Sequence, residues 1–588
     1  MAPLELSRRE FVGAAGALVA ASAFGGCSHG TRRELGAALS QVQGGIVGPS
    51  DSRGHLIRDG AWLGRPPQGR ESTGIVILGG GIAGLSAAWA LERAGYHDFV
   101  VLELEDTAGG TSRYGETPTT PHPWGAHYLP VPPPDARAAR AFLEEIGVIE
   151  YYDAAGRPRC AEQHLCRAPQ ERVFYKGRWY EGLYLHAGAS AEDRRQLQRF
   201  HDEVARWVRA RGQGGRRVFT LPRQAADPRG DGATELDAQS MSAWMDARGL
   251  TSWRLRWWVD YACRDDFGLR AEETSAWAAL HYFCARLVHP DDDPAEVLTW
   301  PEGNGYLVKQ LLARVGGHVR TGCVALDVRR LAGSAPEQVQ AVYLDMRGGE
   351  PVPRAIEARQ LIFALPTFLR HRLIAELRGA PPPPHLQRFS YAPWLVANLT
   401  LRRSPPAPSP VRRSRTQGDD GMGAPGFPLC WDNVLVESPS LGYVVATHQR
   451  EPAPSQDGVP RSVWTYYLPL CGPDPRAERT RLYQTPWPVW RDAIAADLLR
   501  AEPELPAQLL RADVFRWGHG MIRPVPGLLC GDALDLAARS EPPLHFAHSD
   551  LSGMALFEEA QQNGVRAAAA ALRALGHEPA PFSDPAPT

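Results

Sequence analysis

Residues 73–105 read TGIVILGGGIAGLSAAWALERAGYHDFVVLELE. Gly79, Gly81 and Gly84 form G-x-G-x-x-G, and Glu103 follows at the spacing a dinucleotide fold needs. The first glycine makes a tight turn. The second lets a pyrophosphate approach the backbone, and the third lets a helix pack closely on a strand. Ile82 and Ala83 open that helix, whose first N–H groups and positive dipole end suit an anion. Glu103 is placed to accept hydrogen bonds from ribose hydroxyls.

The elements that position these residues are legible around them. Ile75–Leu78 is a continuous apolar run, as in a buried parallel strand, and Phe99–Leu102 is a second. Ile82–Ala94 is rich in Ala and Leu without Pro, so it reads as a helix, and Gly95 suits its stop. Strand, helix, strand and acid in that order make the motif specific, though they do not choose between FAD and NAD.

The segments that follow resemble the flavin amine oxidase superfamily, which includes amine oxidases, protoporphyrinogen oxidases and carotenoid desaturases. AGGTSR resembles its second glycine motif, with Gly109, Gly110, Thr111 and Ser112 in place and Arg113 shifted from the family's R-x-G-G-R pattern. WGAHYL, with Gly125, Ala126 and His127, resembles the segment that passes close to the flavin ring. PEGNGYLVKQLLARVGGHVRTGCVALDVRR resembles the stretch that puts a valine, here Val324, near the adenine, and ARQLIFALPTFL the strand and A-x-P turn after it. In LHFAHSDLSGMALFEEAQQNGVRAAAAAL, Asp550 takes the place of the acid near the ribityl and pyrophosphate. Glu559–Leu572 would be the closing helix, its N-terminus facing the flavin. The resemblance implies bound FAD as cofactor.

It also implies departures. Many family members hold a lysine near the flavin on the strand matching Ala392–Leu401; this chain has Trp394, Val396 and Asn398 there. The chain has only two lysines, Lys176 and Lys309, and Lys309 reads as a surface residue. One ring of the family's aromatic cage matches Leu556, with Phe557 beside it. In RWGHGMIRPVPG, His519 falls where monoamine oxidases hold a cysteine bonded to the flavin. His519 and His127 are the candidate catalytic residues, each able to serve as acid or base near neutral pH. His448 either faces the substrate cavity or is a plain strand residue. Trp253–Trp258 reads as core, and Asp265 and Asp266 as solvated or helix-capping.

The expected fold class is α/β: a discontinuous Rossmann-type FAD-binding domain with an inserted α+β substrate domain. The FAD-binding parts are residues 73–150, 300–385 and 512–578. The substrate parts are 151–299, helical, and 386–511, an antiparallel sheet. Residues 31–72 form a leader without a clear period, 404–428 a mobile loop and 579–588 a disordered tail.

The N-terminal SRREFVGAAGALVAASAFGGC, within residues 1–30, resembles a twin-arginine signal peptide. Its apolar run is too short to span a bilayer. Cleavage after Ala23 competes with lipidation of Cys27, a candidate lipid anchor, so the expected location is periplasmic or exported, and the twin-arginine translocase an expected partner. That route carries folded proteins, in keeping with a cofactor loaded beforehand. Nine scattered cysteines without C-x-x-C spacing give no zinc site, so no metal is expected. A net charge of -2 without a basic block points away from nucleic acid. The expectation is an FAD-dependent oxidoreductase that removes a hydride from a C–N or C–C bond of a small-molecule substrate. The alternatives are a desaturase or isomerase acting on an apolar substrate, a non-catalytic flavin-binding partner protein, and, more distantly, an NAD-dependent dehydrogenase.

Overall fold

The computed structural model describes residue 36 and residues 39–582, apart from 213, 231, 291, 293–295, 332, 334–336, 404–425, 450–457 and 459. The expected export signal with Cys27, most of the 404–428 loop and the end of the tail lie outside the described residues.

The chain begins with β1 (Gln43–Gly48) and α1 (Asp51–Asp59), then enters the nucleotide-binding unit through β2 (Arg70–Leu78), α2 (Ile82–Arg93) and β3 (Phe99–Leu102). Alternation along β2 sets its two faces. Ile75 and Ile77 pack towards α2, while Val76 and Leu78 pack on the opposite face of the sheet. The chain then forms β4 (Glu171–Tyr175), β5 (Arg178–Glu181), α3 (Trp253–Phe267) and α4 (Ala276–Cys284). It returns to the first sheet through β6 (Val319–Arg320), β7 (Cys323–Leu331), β8 (Gln338–Asp345) and β9 (Val352–Phe363). Four strands of the second sheet follow: β10 (Tyr391–Leu401), β11 (Asp432–Leu435), β12 (Tyr443–Val445) and β13 (Ser462–Pro469). The long β14 (Leu509–Ile522), β15 (Leu544–Phe546) and the closing helix α5 (Phe557–Ala574) complete the order.

The first sheet has the order β6-β3-β2-β9-β8-β7, with β15 also on β9. Its β6, β3, β2, β9 and β15 pair in parallel, while β8 and β7 form an antiparallel arm. The second sheet has the order β1-β14-β10-β13-β12-β11-β4-β5. This is the expected α/β class, a Rossmann-type unit with an added substrate domain.

Several expectations are corrected. The leader is built into the fold, because β1 pairs in parallel with residues 511–515 of β14. Residues 512–522 belong to the substrate sheet, since β14 pairs with β10 along nearly its whole length. The helical part 151–299 also lends β4 and β5 to that sheet. The tail is packed as far as Phe582, whose ring stacks on Trp89 at 4.4 Å.

Candidate active site

The glycine turn does what its spacing requires. A Cβ on Gly84 would lie 1.9 Å from the Gly79 carbonyl oxygen, so only glycine allows α2 to sit this close to β2. Gly79 adopts φ +101°, a conformation that favours glycine. No side chain caps the start of α2 at Gly81, which leaves first-turn N–H groups such as that of Ala83 for a ligand. The second glycine turn lies against the first: Gly109 N–H donates to Gly80 O at 2.8 Å, and a Cβ on Gly110 would come 3.2 Å from Gly81 Cα.

Glu103 is buried at the end of β3. Its Oε2 accepts from Gly80 N at 2.7 Å and its Oε1 from Glu105 N at 2.9 Å. Burial pushes its pKa up, against these hydrogen bonds. Each oxygen keeps further acceptor capacity. Ser112 is buried beside Arg113, whose Nη2 donates to Thr107 O at 3.0 Å and whose Nη1 lies 3.6 Å from Glu105 Oε2. The buried Arg113 Nε has no hydrogen-bond partner. A bare glycine cradle, an uncapped helix start, a ribose-type carboxylate and an orphaned buried guanidinium N–H fit a dinucleotide with its pyrophosphate. Val324 is fully buried on β7 with Leu326, Leu344 and Leu104.

A cavity of about 130 Å³ opens where the two sheets meet. Thr111 and Gly125–Tyr128 form one wall, Trp517, Gly520 and Met521 of β14 another, and Ala555–Glu558 at the start of α5 a third. The substrate sheet fastens the first wall in place: Tyr467 of β13 donates to Gly125 O at 2.8 Å and Trp517 to Trp124 O at 2.6 Å. Trp394 and Val396 of β10 line the cavity, while Asn398 is tied to Pro123 O and Thr465. Lys309 is bonded to Glu302 and Glu116, and among the described residues no lysine lines this cavity.

A second chamber of about 420 Å³ shares His127, Tyr128, Asp265, Tyr282 and Arg286 with the first. Its lining adds the carboxylates Glu171, Asp292 and Asp432 and the rings of Trp258 and Trp431. Asp265 and Asp266 are therefore interior groups, a correction to their reading as solvated or capping residues; Asp266 is 5% exposed. Arg286 Nη2 donates to Tyr128 Oη at 2.9 Å and to Asp266 at 3.2 Å, and Tyr128 donates to Asp266 at 3.3 Å. Burial, then the adjacent Asp266 carboxyl, pushes the Asp265 pKa up. Glu558 Oε1 is buried without a partner, and burial pushes its carboxyl to about 7. Sequence reasoning missed Asp265, Arg286, Asp432 and Glu558 as site residues. The available signal was an Asp pair at the C-terminal end of the Trp-rich α3, next to the buried Arg264.

Of the candidate histidines, His127 stands on the shared wall with its ring 4.7 Å from Tyr467, and burial pushes it down to about 4, so it is neutral at pH 7. His519 lines neither cavity. Its ring stacks on Phe368 at 4.2 Å and meets Tyr391 edge-on, on the side of Asp550. It keeps an accessible face, yet surrounding protein, then Arg479, pushes it down to about 4. Asp550 Oδ2 accepts from Thr367 N at 2.9 Å and Tyr391 Oη at 2.7 Å. Burial would raise its pKa, but neighbouring His548 and these bonds hold it low. His448 lines neither cavity, and its Nε2 lies 2.8 Å from Arg167 O.

Residues 77–146 match the family model of the NAD(P)-binding Rossmann-like domain. No curated protein matches the chain in sequence. Among solved structures, a putrescine oxidase redesigned for cofactor binding is 16% identical with a TM-score of 0.59, over 86% of this chain and 100% of that one. Cyclohexylamine oxidase from Brevibacterium oxydans IH-35A is 14% identical with a TM-score of 0.58, over 86% of this chain and 100% of that one. A CLA-producing fatty acid isomerase from P. acnes is 13% identical with a TM-score of 0.52, over 84% of this chain and 97% of that one. At these identities the likeness establishes a shared fold.

Proposed function

We propose that the protein is an exported FAD-dependent oxidoreductase that oxidises a C–N bond of a cationic small molecule. One observation carries the reading. Gly125–His127, which the resemblance places by the flavin ring, and Leu556, which it places in the aromatic cage, are hundreds of residues apart in the chain, and they line one cavity together with Thr111 of the second glycine motif. That cavity adjoins a chamber large enough for a substrate. Sharing a fold with putrescine oxidase and cyclohexylamine oxidase supports the same reading.

FAD, when bound, would supply the hydride acceptor, with dioxygen or an electron-chain acceptor as the final oxidant. Gly81, Gly110 and the start of α2 would hold the pyrophosphate, and Glu103 the ribose. Trp394, Trp517 and Met521 exclude water from the reacting bond. Glu171 and Asp292 line the second chamber with Asp265 and Asp432, whose pKa values burial pushes up, against one guanidinium, Arg286, which Asp266 already engages. A cation bound there would favour the charged form of these carboxyls, and Trp258 and Trp431 offer ring faces to it. The second reading is a desaturase or isomerase for an apolar substrate. The mostly apolar first cavity and the fold shared with a fatty acid isomerase favour it. A purely non-catalytic flavoprotein is disfavoured by the second chamber. Export rests on Arg8 and Arg9 with the apolar run that follows.

Purified protein is expected to be yellow, and acid precipitation separates released from covalently held flavin. Anaerobic addition of a cationic amine should bleach it, with hydrogen peroxide released in air. Asp265→Asn should raise KM for that amine about tenfold. Bleaching by an apolar alkene, with no response to any amine, would select the second reading, and a colourless protein that FAD cannot reconstitute would end both.

A further inference from the structure

The leader makes contacts whose positions bear on the nucleotide cradle. After β1 leaves the edge of the substrate sheet, Ser50 N–H donates to Glu105 Oε1 at 2.9 Å. Arg53 Nη1 donates to Leu104 O at 3.1 Å and meets Asp106 Oδ1 at 2.8 Å. Leu56, Ile57 and Trp62 pack against the cluster that contains Val324, with Leu104 alongside. The leader therefore grips each of the three residues that follow Glu103.

Glu105 is the hub of this arrangement. One carboxylate oxygen accepts from the leader, and the other lies 3.6 Å from Arg113 Nη1. Its backbone N–H donates to Glu103 Oε1. Arg113 is 8% exposed, and its unpartnered Nε is the independent sign of a missing anionic ligand. Arg113 stands three residues beyond Gly110, further along than in the R-x-G-G-R pattern, so its aim depends on what holds it.

We propose that the leader is a working part of the cofactor site: Ser50 and Arg53 fix the 104–106 loop so that Glu105 positions Arg113 for the dinucleotide pyrophosphate and Glu103 for its ribose. This rests on the FAD reading above. Glu105 and Arg53 are positioning residues and touch no reacting atom. Cleavage after Ala23 and lipidation of Cys27 would both leave the strap in the mature chain, since β1 starts at Gln43.

The test is FAD affinity, measured by quenching of flavin fluorescence on apoprotein, with thermal unfolding of the same apoprotein as the structural control. Arg53→Ala and Glu105→Ala should each weaken FAD binding about tenfold or more, charge-assisted contacts being the ones lost. Glu105→Gln should fall between wild type and the alanine variant, because its amide oxygen still accepts from Ser50 N–H while its NH2 no longer pairs with the Arg113 guanidinium. The Arg53 side chain is 18% exposed and its ion-pair partner Asp106 79% exposed, so apoprotein melting decides whether its removal disturbs the fold. Apoprotein melting lower in both alanine variants, with FAD affinity unchanged in the folded fraction, would reduce the strap to a structural role and overturn the proposal. Wild-type binding with no loss in either variant would overturn it too, while leaving the FAD reading standing. Wild-type protein that takes up no FAD would overturn both.

Discussion

Glu558 combines three properties that rarely coincide in one carboxylate. It is 3% exposed, its Oε1 has no partner, and it borders the cavity at the first turn of α5. Burial places its pKa at about 7, well above that of an unfolded-state glutamate. The folded state therefore binds this proton more tightly than the unfolded one. Its stabilising contribution is complete below pH of about 4.5 and is lost as pH rises through about 7, up to roughly 3 kcal/mol in all. Glu558→Gln should flatten that fall: apoprotein melting temperature should decline less between pH of about 4.5 and 7 than in wild type. Parallel melting curves for the two proteins would mean that Glu558 is already ionised in the fold. His127 works in the opposite sense: burial holds it neutral in the fold while the unfolded imidazole, near about 6.5, takes up a proton as pH falls, so its substitution should remove a gain in stability between pH of about 4 and about 6.5.

At the scale of elements, the position of α2 depends on α5 as much as on the glycine turn. A Cβ on Gly564 would lie 2.1 Å from Ala83 O, inside the first turn of α2. Gly564→Ala must push the two helices apart and move the N–H groups meant for the pyrophosphate. The expected cost is about 1–3 kcal/mol in urea unfolding, with weakened FAD retention. Unchanged FAD retention would separate helix packing from the cradle. The same contrast between local and distant causes explains what was legible in the sequence. β2, α2 and β3 could be read directly because their apolar runs and glycine spacing are local signals, and β3 begins and ends where expected. β1, QGGIVG, carries no alternation and buries no side chain fully; it is a strand only because β14 offers an edge. β14 was split at residue 512 because its partner β10 lies more than a hundred residues earlier. Asp265 and Asp266 look like surface carboxylates until Tyr128 and Arg286 close over them.

For the whole molecule, the sheet sets the order of folding and cofactor loading, and with it what the proposed export route must carry. β2, β9 and β15 lie side by side, yet they come from the beginning, middle and end of the chain. The leader adds a further long-range tie by joining β1 to β14. A cradle assembled this way does not exist on an unfolded chain, so FAD binds only the native state and stabilises it by mass action, about 2.7 kcal/mol at a hundredfold excess over Kd. A route that moves folded proteins is the one compatible with loading before transport. Replacing Arg8 and Arg9 with lysine should therefore strand the protein inside the cell with its flavin already bound. Fractionation with flavin fluorescence measures both properties at once. Flavin-free protein accumulating inside, beside flavin-loaded wild type outside, would place cofactor uptake after export and remove the physical reason for the twin-arginine route.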